Sequence, residues 1–160
     1  MSKLLLILFS ILTFLYSDVL TGLDVLQNNK FKSIQNKNIG LVINHTSLNK
    51  DKVHILDLLL EYEDIYVKSI FTPEHGLKGN FSAGEKIDDG FNENLGIKII
   101  SLYGNKNKPD LDDIKGLDCI VFDIQDIGSR YYTYVSTLTH MLNIASISNI
   151  PIIVLDRPKH

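Results

Sequence analysis

Residues 73–76, Pro-Glu-His-Gly, place a carboxyl group beside an imidazole directly after an apolar stretch. Proline restricts the backbone before the pair and glycine frees it afterwards, so both side chains can be held in a defined, exposed position. Glu74 and His75 are therefore candidates for general acid–base catalysis. The alternative is a turn with a solvated glutamate and a capping histidine. The long glycine-bearing loop that follows, which could close as a lid, favours catalysis.

Both arginines of the chain lie in polar clusters of the same kind. The sequence has 14 Lys and only two Arg, Arg130 and Arg157. Because a guanidinium binds carboxylates and phosphates with two parallel hydrogen bonds and an ammonium does not, this choice indicates recognition of an anionic group. The equally weighted alternative is a structural ion pair with a nearby aspartate, and both roles can hold at once. The candidate partners are Asp123, Asp126 and Asp156.

Three tyrosines follow Arg130, at positions 131, 132 and 134. An aromatic cluster of this kind can stack on the faces of sugars, although core packing should account for at least one of them. Asn44 follows an apolar run, where it could bind a ligand or cap a helix. His54 is expected at the surface of a helix, and His140 is expected to be packed or half-exposed.

The apolar residues predict the elements that must position these side chains. Short β-branched runs alternate with stretches of helical spacing. Strands are expected at 38–44, 65–71, 97–102, 118–124 and 152–155, and helices at 53–62, 111–115 and 135–148. This order predicts a doubly wound, Rossmann-like α/β domain over residues 22–158, with a mostly parallel sheet and helices on both faces. No G-x-G-x-x-G follows the first strand and no Walker A loop is present, so the nucleotide fingerprints are missing.

Each predicted strand ends in a polar cluster. In an open α/β sheet, ligands bind beyond the carboxyl ends of the strands, so the five clusters should converge on one edge. One such cluster would be a turn or a cap, whereas five on one edge indicate a site. The clusters are residues 44–46, 72–76, 101–104, 123–134 and 156–158.

Composition excludes several classes of protein. The chain has 160 residues and a net charge of −3, which suits one domain with a hydrophobic core. The 16 basic residues face 19 acidic ones without a basic run, so nucleic acid is not an expected partner. A single cysteine, Cys119, excludes an intramolecular disulfide and a multi-cysteine zinc site; it lies in an apolar run and is expected to be buried.

The N-terminus predicts secretion. Lys3 precedes an apolar run at 4–16 that is shorter than the roughly 20 residues of a membrane-spanning helix. Residues 1–17 are therefore expected to be a signal peptide, which implies a secreted or periplasmic bacterial protein with no membrane attachment after cleavage. The alternatives are an uncleaved anchor and a buried N-terminal helix.

Taken together, the motifs resemble those of the NamZ/YbbC-like exo-β-N-acetylmuramidases over essentially all of residues 22–158. The most specific segments are PEHG and DIQDIGSRYYTY. The matching stretches are residues 44–46, 71–79, 83–85, 101–104, 122–134 and 155–158.

The resemblance implies a Rossmann-like N-terminal domain that carries the active site, followed by a second α/β domain. The implied reaction releases N-acetylmuramic acid from the non-reducing ends of peptidoglycan fragments, so muramyl saccharides or muropeptides are the implied partners. Glu74 matches the proposed catalytic glutamate, and no cofactor or metal is implied. The matching saccharide-pocket positions are Asn44, His75, Arg130 and Tyr131, with Gln125 and Asp126 as further candidates.

Glycoside hydrolysis normally uses a carboxylic acid and a second carboxylate. Glu74 suits the acid, and Asp126 or Asp123 suits the second group, with a tyrosine or His75 as a less usual choice. Arg130 suits the lactyl carboxylate of muramic acid, which glucosamine lacks. Arg157 belongs to the same ligand edge.

Family members are longer than this chain, so the second domain is expected to be absent. We therefore expect low solubility and little activity from the chain alone, unless a separate chain supplies the missing domain. A non-catalytic module that binds muramyl sugars or another small anion is the main alternative. A phosphate- or nucleotide-binding protein is a third possibility, opposed by the missing glycine fingerprint and by the signal peptide.

Overall fold

The computed structural model describes residues 19–73, 90–92, 95–104, 106–129 and 133–158. Within them, six strands and three helices follow one another along the chain. The predicted signal peptide lies outside these residues. The elements are α1 (Gly22–Asn28), β1 (Lys37–Ile43), α2 (Ile55–Leu60), β2 (Ile65–Thr72), β3 (Gly90–Asn92), β4 (Ile97–Ser101), β5 (Cys119–Asp123), α3 (Tyr134–Ser148) and β6 (Ile152–Val154).

The strands form one sheet in the order β3-β4-β2-β1-β5-β6. All neighbours pair in parallel except β3, which runs antiparallel to β4 at the edge. The five predicted strands are confirmed, and so is the doubly wound, mostly parallel Rossmann-like fold. β3 was not predicted, because three residues without alternating apolar side chains carry no strand pattern.

The core lies on both faces of the sheet, as the continuous apolar strands predict. On one face, Leu41 and Val121 pack with side chains of α1 and α2. On the other face, Phe71 and Ile120 pack with Met141 of α3. Burying an aliphatic or aromatic side chain contributes about 1.5–3 kcal/mol, so each strand is held from two sides. Cys119 is fully buried, as expected.

The predicted helix at 111–115 is wrong, since this stretch forms turns. The reason is local competition by aspartate side chains for backbone N–H groups. The carboxylate of Asp110 accepts from the N–H of Asp113 at 3.1 Å, and the carboxylate of Asp113 accepts from the N–H of Asp110 at 3.0 Å. Lys98 and Lys106 bind the buried Asp113, which fixes the turns beneath β4.

Helix α1 begins against the segment that follows β6. Thr21 and Asp24 form a capping box, and the N–H of Gly22 donates to the carbonyl of Asp156 at 2.6 Å. A Cβ at position 22 would lie 2.6 Å from the backbone nitrogen of Asp156, so only glycine allows this approach. The contact holds the 156–158 segment at the carboxyl edge of the sheet. In the part of the chain that the structure describes, no helix is long and apolar enough to span a bilayer.

Candidate functional site

The sheet order places a crevice at the carboxyl ends of β1 and β5. From β1 the chain proceeds to β2 on one side, whereas β5 lies on the other side. At such a switch point the following loops diverge to opposite faces and leave room for a ligand. The loops concerned are residues 44–47 and 124–129.

Asn44 directly follows β1 and is fully buried. Its Oδ1 accepts from the backbone N–H of Thr46 at 2.9 Å and from the Thr46 hydroxyl at 2.6 Å, so the side chain shapes the turn. Its Nδ2 has no hydrogen-bond partner among the described residues. A buried donor left unpaired costs about 1–3 kcal/mol, so Asn44 is suited to donating to a ligand that enters the crevice.

Gln125 connects the two loops of the crevice with the 156–158 segment. Its backbone N–H donates to the hydroxyl of Thr46 at 3.1 Å. Its side-chain nitrogen donates to the carbonyls of Pro158 at 3.1 Å and of Asp126 at 3.3 Å. Both side-chain N–H groups are therefore engaged within the protein, and Gln125 positions the site.

Arg157 forms a buried ion pair with Asp123. The guanidinium Nε and Nη2 donate to the two carboxylate oxygens at 2.6 and 2.8 Å. The side chains are 7% and 0% exposed, respectively. Burial raises the pKa of Asp123, although the guanidinium of Arg157 opposes this shift. Of the two roles considered for Arg157, the structural pair is present, and binding of substrate stays a prediction.

Asp126 lies three residues beyond the end of β5. Its Oδ1 accepts from the N–H of Gly128, whereas its Oδ2 is buried and has no hydrogen-bond partner within the described segments. A cavity of about 160 Å³ lies between Asp126, Arg157 and the first turn of α3. Of the two aspartates considered as the second carboxylate, Asp123 is occupied by Arg157 and Asp126 keeps an oxygen for a ligand.

Unpartnered polar atoms concentrate at this edge. Four buried side-chain atoms lack a hydrogen-bond partner in the described part of the chain, and three of them follow or end a strand there. The fourth is the Ser69 hydroxyl, inside β2. Native proteins leave few such atoms, so their concentration at one edge indicates a site that a polar ligand completes. The three are Asn44 Nδ2, Thr72 Oγ1 and Asp126 Oδ2.

Four predicted site residues fall outside the described residues: Glu74, His75, Arg130 and Tyr131. The described chain reaches Pro73 beyond the carboxyl end of β2, next to β1. Their assigned roles stay predictions. Tyr134 is only 5% exposed and packs in the core, as expected for one of the three tyrosines.

The sequence reasoning missed the role of His54. It is half-buried and caps α2, where its Nδ1 accepts from the N–H of Leu56 at 3.3 Å. Its Nε2 is 2.9 Å from the carbonyl oxygen of Asn44 and donates to it, since Nδ1 acts as the acceptor. The expected surface position was therefore wrong. The available signal was its place directly before the first apolar residue of a helix.

Among the described residues, acidic, histidine and cysteine side chains do not gather into a metal site. No group of three or more that could hold a metal ion occurs in residues 19–73, 90–92, 95–104, 106–129 and 133–158.

Comparison with known proteins gives consistent similarities. The chain is 39% identical over 140 residues to the peptidoglycan beta-N-acetylmuramidase NamZ of Bacillus subtilis (strain 168), covering 88% of this chain and 34% of that protein. It is also similar to the crystal structures of two DUF1343 family proteins from Bacteroides fragilis NCTC 9343. One has a TM-score of 0.77 and 35% identity and covers 87% of this chain and 34% of the other. The second has a TM-score of 0.72 and 34% identity, with 89% and 36% covered.

The chain thus spans about a third of the length of these relatives. Residues 39–160 match the family model described as exo-beta-N-acetylmuramidase NamZ, N-terminal. This match includes the β1 and β5 loops that form the crevice. The chain belongs to the NamZ N-terminal domain family.

Proposed function

We propose that this chain carries the active-site portion of an exo-β-N-acetylmuramidase, which releases N-acetylmuramic acid from the non-reducing ends of peptidoglycan fragments. Family membership and the 39% identity to a peptidoglycan beta-N-acetylmuramidase support the reaction. About two thirds of the length of the Bacillus subtilis relative lies outside the matched region, so the activity of the whole enzyme is part of the proposal.

The observation that carries the proposal is the set of unpartnered polar atoms at the carboxyl edge. Asn44 offers a buried donor, whereas Asp126 offers a buried carboxylate oxygen. A sugar has both hydroxyl and acylamino groups, so it can accept from the first and donate to the second. The turn at Thr46 and the bonds of Gln125 hold these atoms before a ligand arrives.

In the proposed reaction, Glu74 is the general acid that protonates the glycosidic oxygen. Asp126 is the second carboxylate, acting as base or nucleophile. Its free Oδ2 supports this choice over Asp123, whose two oxygens are both bound by Arg157.

Recognition of the muramyl group falls to the polar residues around these carboxyls. Arg130 binds the lactyl carboxylate, since a guanidinium matches a carboxylate in geometry and charge. Asn44 donates to the sugar, and His75 and Tyr131 line the pocket. Arg157 contributes by holding Asp123 and the 156–158 segment in place.

Two further statements belong to this proposal. Residues 1–17 direct the protein out of the cytoplasm, to the periplasm or the medium, where peptidoglycan fragments occur. A C-terminal domain supplies the second wall of the cleft. In one version of this proposal, the C-terminal domain is a separate chain. Fractionation and mass analysis test the first statement. Retention of the protein in the cytoplasm would reject export, and an intact N-terminus on the exported protein would reject cleavage near Ser17.

The function is tested with the purified chain, alone and mixed with a polypeptide that spans the remainder of the Bacillus subtilis relative. Calorimetry measures binding of N-acetylmuramic acid, and chromatography measures its release from a muramyl-glucosamine disaccharide. We expect binding by the chain and turnover in at least one preparation. Glu74→Gln should abolish turnover while keeping binding, and the exposed Glu63→Gln should change neither.

Unchanged turnover in Glu74→Gln would reject Glu74 as the acid. Binding of the sugar without turnover in every preparation would support the non-catalytic alternative. Absence of both would reject the proposed function.

A further inference from the structure

A second, larger cavity lies beside the crevice. It has a volume of about 550 Å³ and is bordered by the segment after β4 and the first two turns of α3. It shares no lining residue with the cavity beside Asp126. The segment after β4 contains the Ser-Leu-Tyr-Gly cluster, residues 101–104, to which the proposed reaction gives no role.

The lining of this cavity mixes apolar and polar groups, and it is uncharged at neutral pH when histidine is neutral. Its polar lining residues include Tyr103, Asn107, Ser136 and His140. Leu102 adds an apolar surface. None of its described lining residues is Asp, Glu, Lys or Arg. Hydroxyl, amide and aromatic groups around an apolar patch suit a neutral sugar ring, and the volume is typical of small-molecule pockets.

The walls of the cavity are held in place by hydrogen bonds. The N–H of Leu102 donates to the carbonyl of Thr72 at 2.8 Å, which attaches the segment to the end of β2. The N–H of Tyr103 donates to the hydroxyl of Ser101 at 3.3 Å. Gly104 has a φ of +83°, which lets the chain turn away without strain. The opposite wall is a regular helix of 15 residues. The cavity is therefore formed before a ligand binds.

The sheet order relates this cavity to the crevice. Along the carboxyl edge, β4 is followed by β2 and then by β1 and β5. The ends of β4 and β1 are two strand spacings apart, about 10 Å. Between them lies the end of β2, from which the chain leads to Glu74. A disaccharide with one ring in each place would thus present its glycosidic bond near the end of β2.

We propose that the cavity between Tyr103 and His140 is the subsite for the neutral N-acetylhexosamine unit to which the released muramic acid is attached. The proposal rests on the proposed function for the identity of the whole substrate. It assigns the leaving sugar to Tyr103, Asn107, Ser136 and His140, and the muramyl ring to the crevice of β1 and β5.

The first test uses N-acetylglucosamine alone as the probe and the ¹⁵N-labelled chain. We expect saturable shifts of the amide signals of Tyr103, Ser136 and His140. Ser136→Trp adds a bulky indole to the cavity wall and should remove the shifts, whereas Thr139→Trp changes an exposed residue of the same helix outside the cavity and should keep them. Circular dichroism verifies that both variants fold. Absence of shifts, shifts confined to Asn44 and Gln125, or unaltered binding by folded Ser136→Trp would overturn the proposal.

The second test separates this proposal from the proposed function. We compare kcat/KM for the muramyl-glucosamine disaccharide with kcat/KM for a nitrophenyl muramide. The ratio of the first to the second should fall about tenfold in Ser136→Trp, because a loss of this size is expected when pocket contacts are removed. Thr139→Trp should leave the ratio unchanged. An equal ratio in both variants would reject the subsite and leave the function standing. Cavity shifts with no turnover of either substrate would reject the function and leave a sugar-binding site.

Discussion

Arg157 binds both carboxylate oxygens of Asp123, across 34 residues of sequence, and the pair is almost fully buried. The backbone carbonyl of the same aspartate accepts from the hydroxyl of Ser47. Asp123 thus joins the end of β5, the loop after β1 and the segment after β6. Within the described parts of the chain, these three segments border the crevice, so the pair maintains the geometry of the site.

Arg157→Ala is expected to destabilise the domain by about 3–5 kcal/mol, because it leaves a buried carboxylate without its partner. Arg157→Lys should recover only part of this loss, since an ammonium cannot make the two parallel bonds. Denaturant unfolding measures the stability of both variants. The exposed Lys32→Ala is the control, and its stability should lie within about 0.5 kcal/mol of wild type, as is usual for surface changes. Equal stability of Arg157→Ala and Lys32→Ala would contradict the assigned role.

Asp113 makes the stability of the domain depend on pH. Burial alone would raise its pKa, but the N–H of Asp110 and the ammonium groups of Lys106 and Lys98 outweigh this and lower the pKa below its ordinary value of 3.8. The stabilisation is therefore fully present above about pH 4 and is lost as the pH falls through the lowered folded-state pKa. Asp113→Asn should lower the free energy of unfolding at pH 7 by about 1.5–3 kcal/mol, which is the usual contribution of hydrogen bonds to charged groups. The loss should become progressively smaller below pH 4.

Urea unfolding of wild type and Asp113→Asn between pH 3 and pH 7 checks this dependence. Asp112→Asn, an exposed neighbour, serves as the control and should show no comparable difference. A difference between wild type and Asp113→Asn that grows below pH 4 would have the wrong sign.

The strands were predictable because fully buried parallel strands are continuous apolar runs. The run at Cys119–Asp123 illustrates this, as its side chains are buried on both faces of the sheet. Edge strand β3 has only three residues and its signal is correspondingly weak. The helix expected at 111–115 failed because Asp110 and Asp113 bind backbone N–H groups there. Local side-chain competition of this kind is not visible in hydrophobic periodicity.

The location of the candidate crevice was predictable from the sequence, whereas its pairwise contacts were not. The rule that ligands bind at the carboxyl edge of the sheet directs attention to Asn44, Gln125 and Asp126. The sequence does not decide which of three aspartates pairs with Arg157, because this choice depends on the distances between β5 and the segment after β6. The bond from His54 to the carbonyl of Asn44 likewise depends on how α2 packs beneath the loop.

His54 is expected to act as a positioning residue for Asn44. His54→Ala should cost about 1 kcal/mol through the lost cap of α2, and more through the lost bond to the Asn44 carbonyl. His54→Asn should restore the cap, because asparagine is a good cap, but its shorter side chain cannot reach Asn44. Thermal unfolding and the Kd for N-acetylmuramic acid are measured for both variants. We expect His54→Asn to recover stability but not affinity; recovery of both would reduce His54 to a capping role.

Asp126 and Asp123 should respond differently to loss of charge. Asp126→Asn retains an oxygen for the N–H of Gly128 and removes the free carboxylate oxygen, so stability should change little. Asp123→Asn instead removes the charge that Arg157 binds, so it should destabilise the domain.

If Asp126 is the second carboxylate, Asp126→Asn should lower kcat for muramide hydrolysis at least about 100-fold, the usual effect of losing a general acid or base. The assay uses the preparation that turns over substrate, with unfolding curves measured in parallel. Full activity in a stable Asp126→Asn variant would move the second catalytic role away from Asp126, and unaltered stability of Asp123→Asn would remove the structural distinction between the two carboxylates.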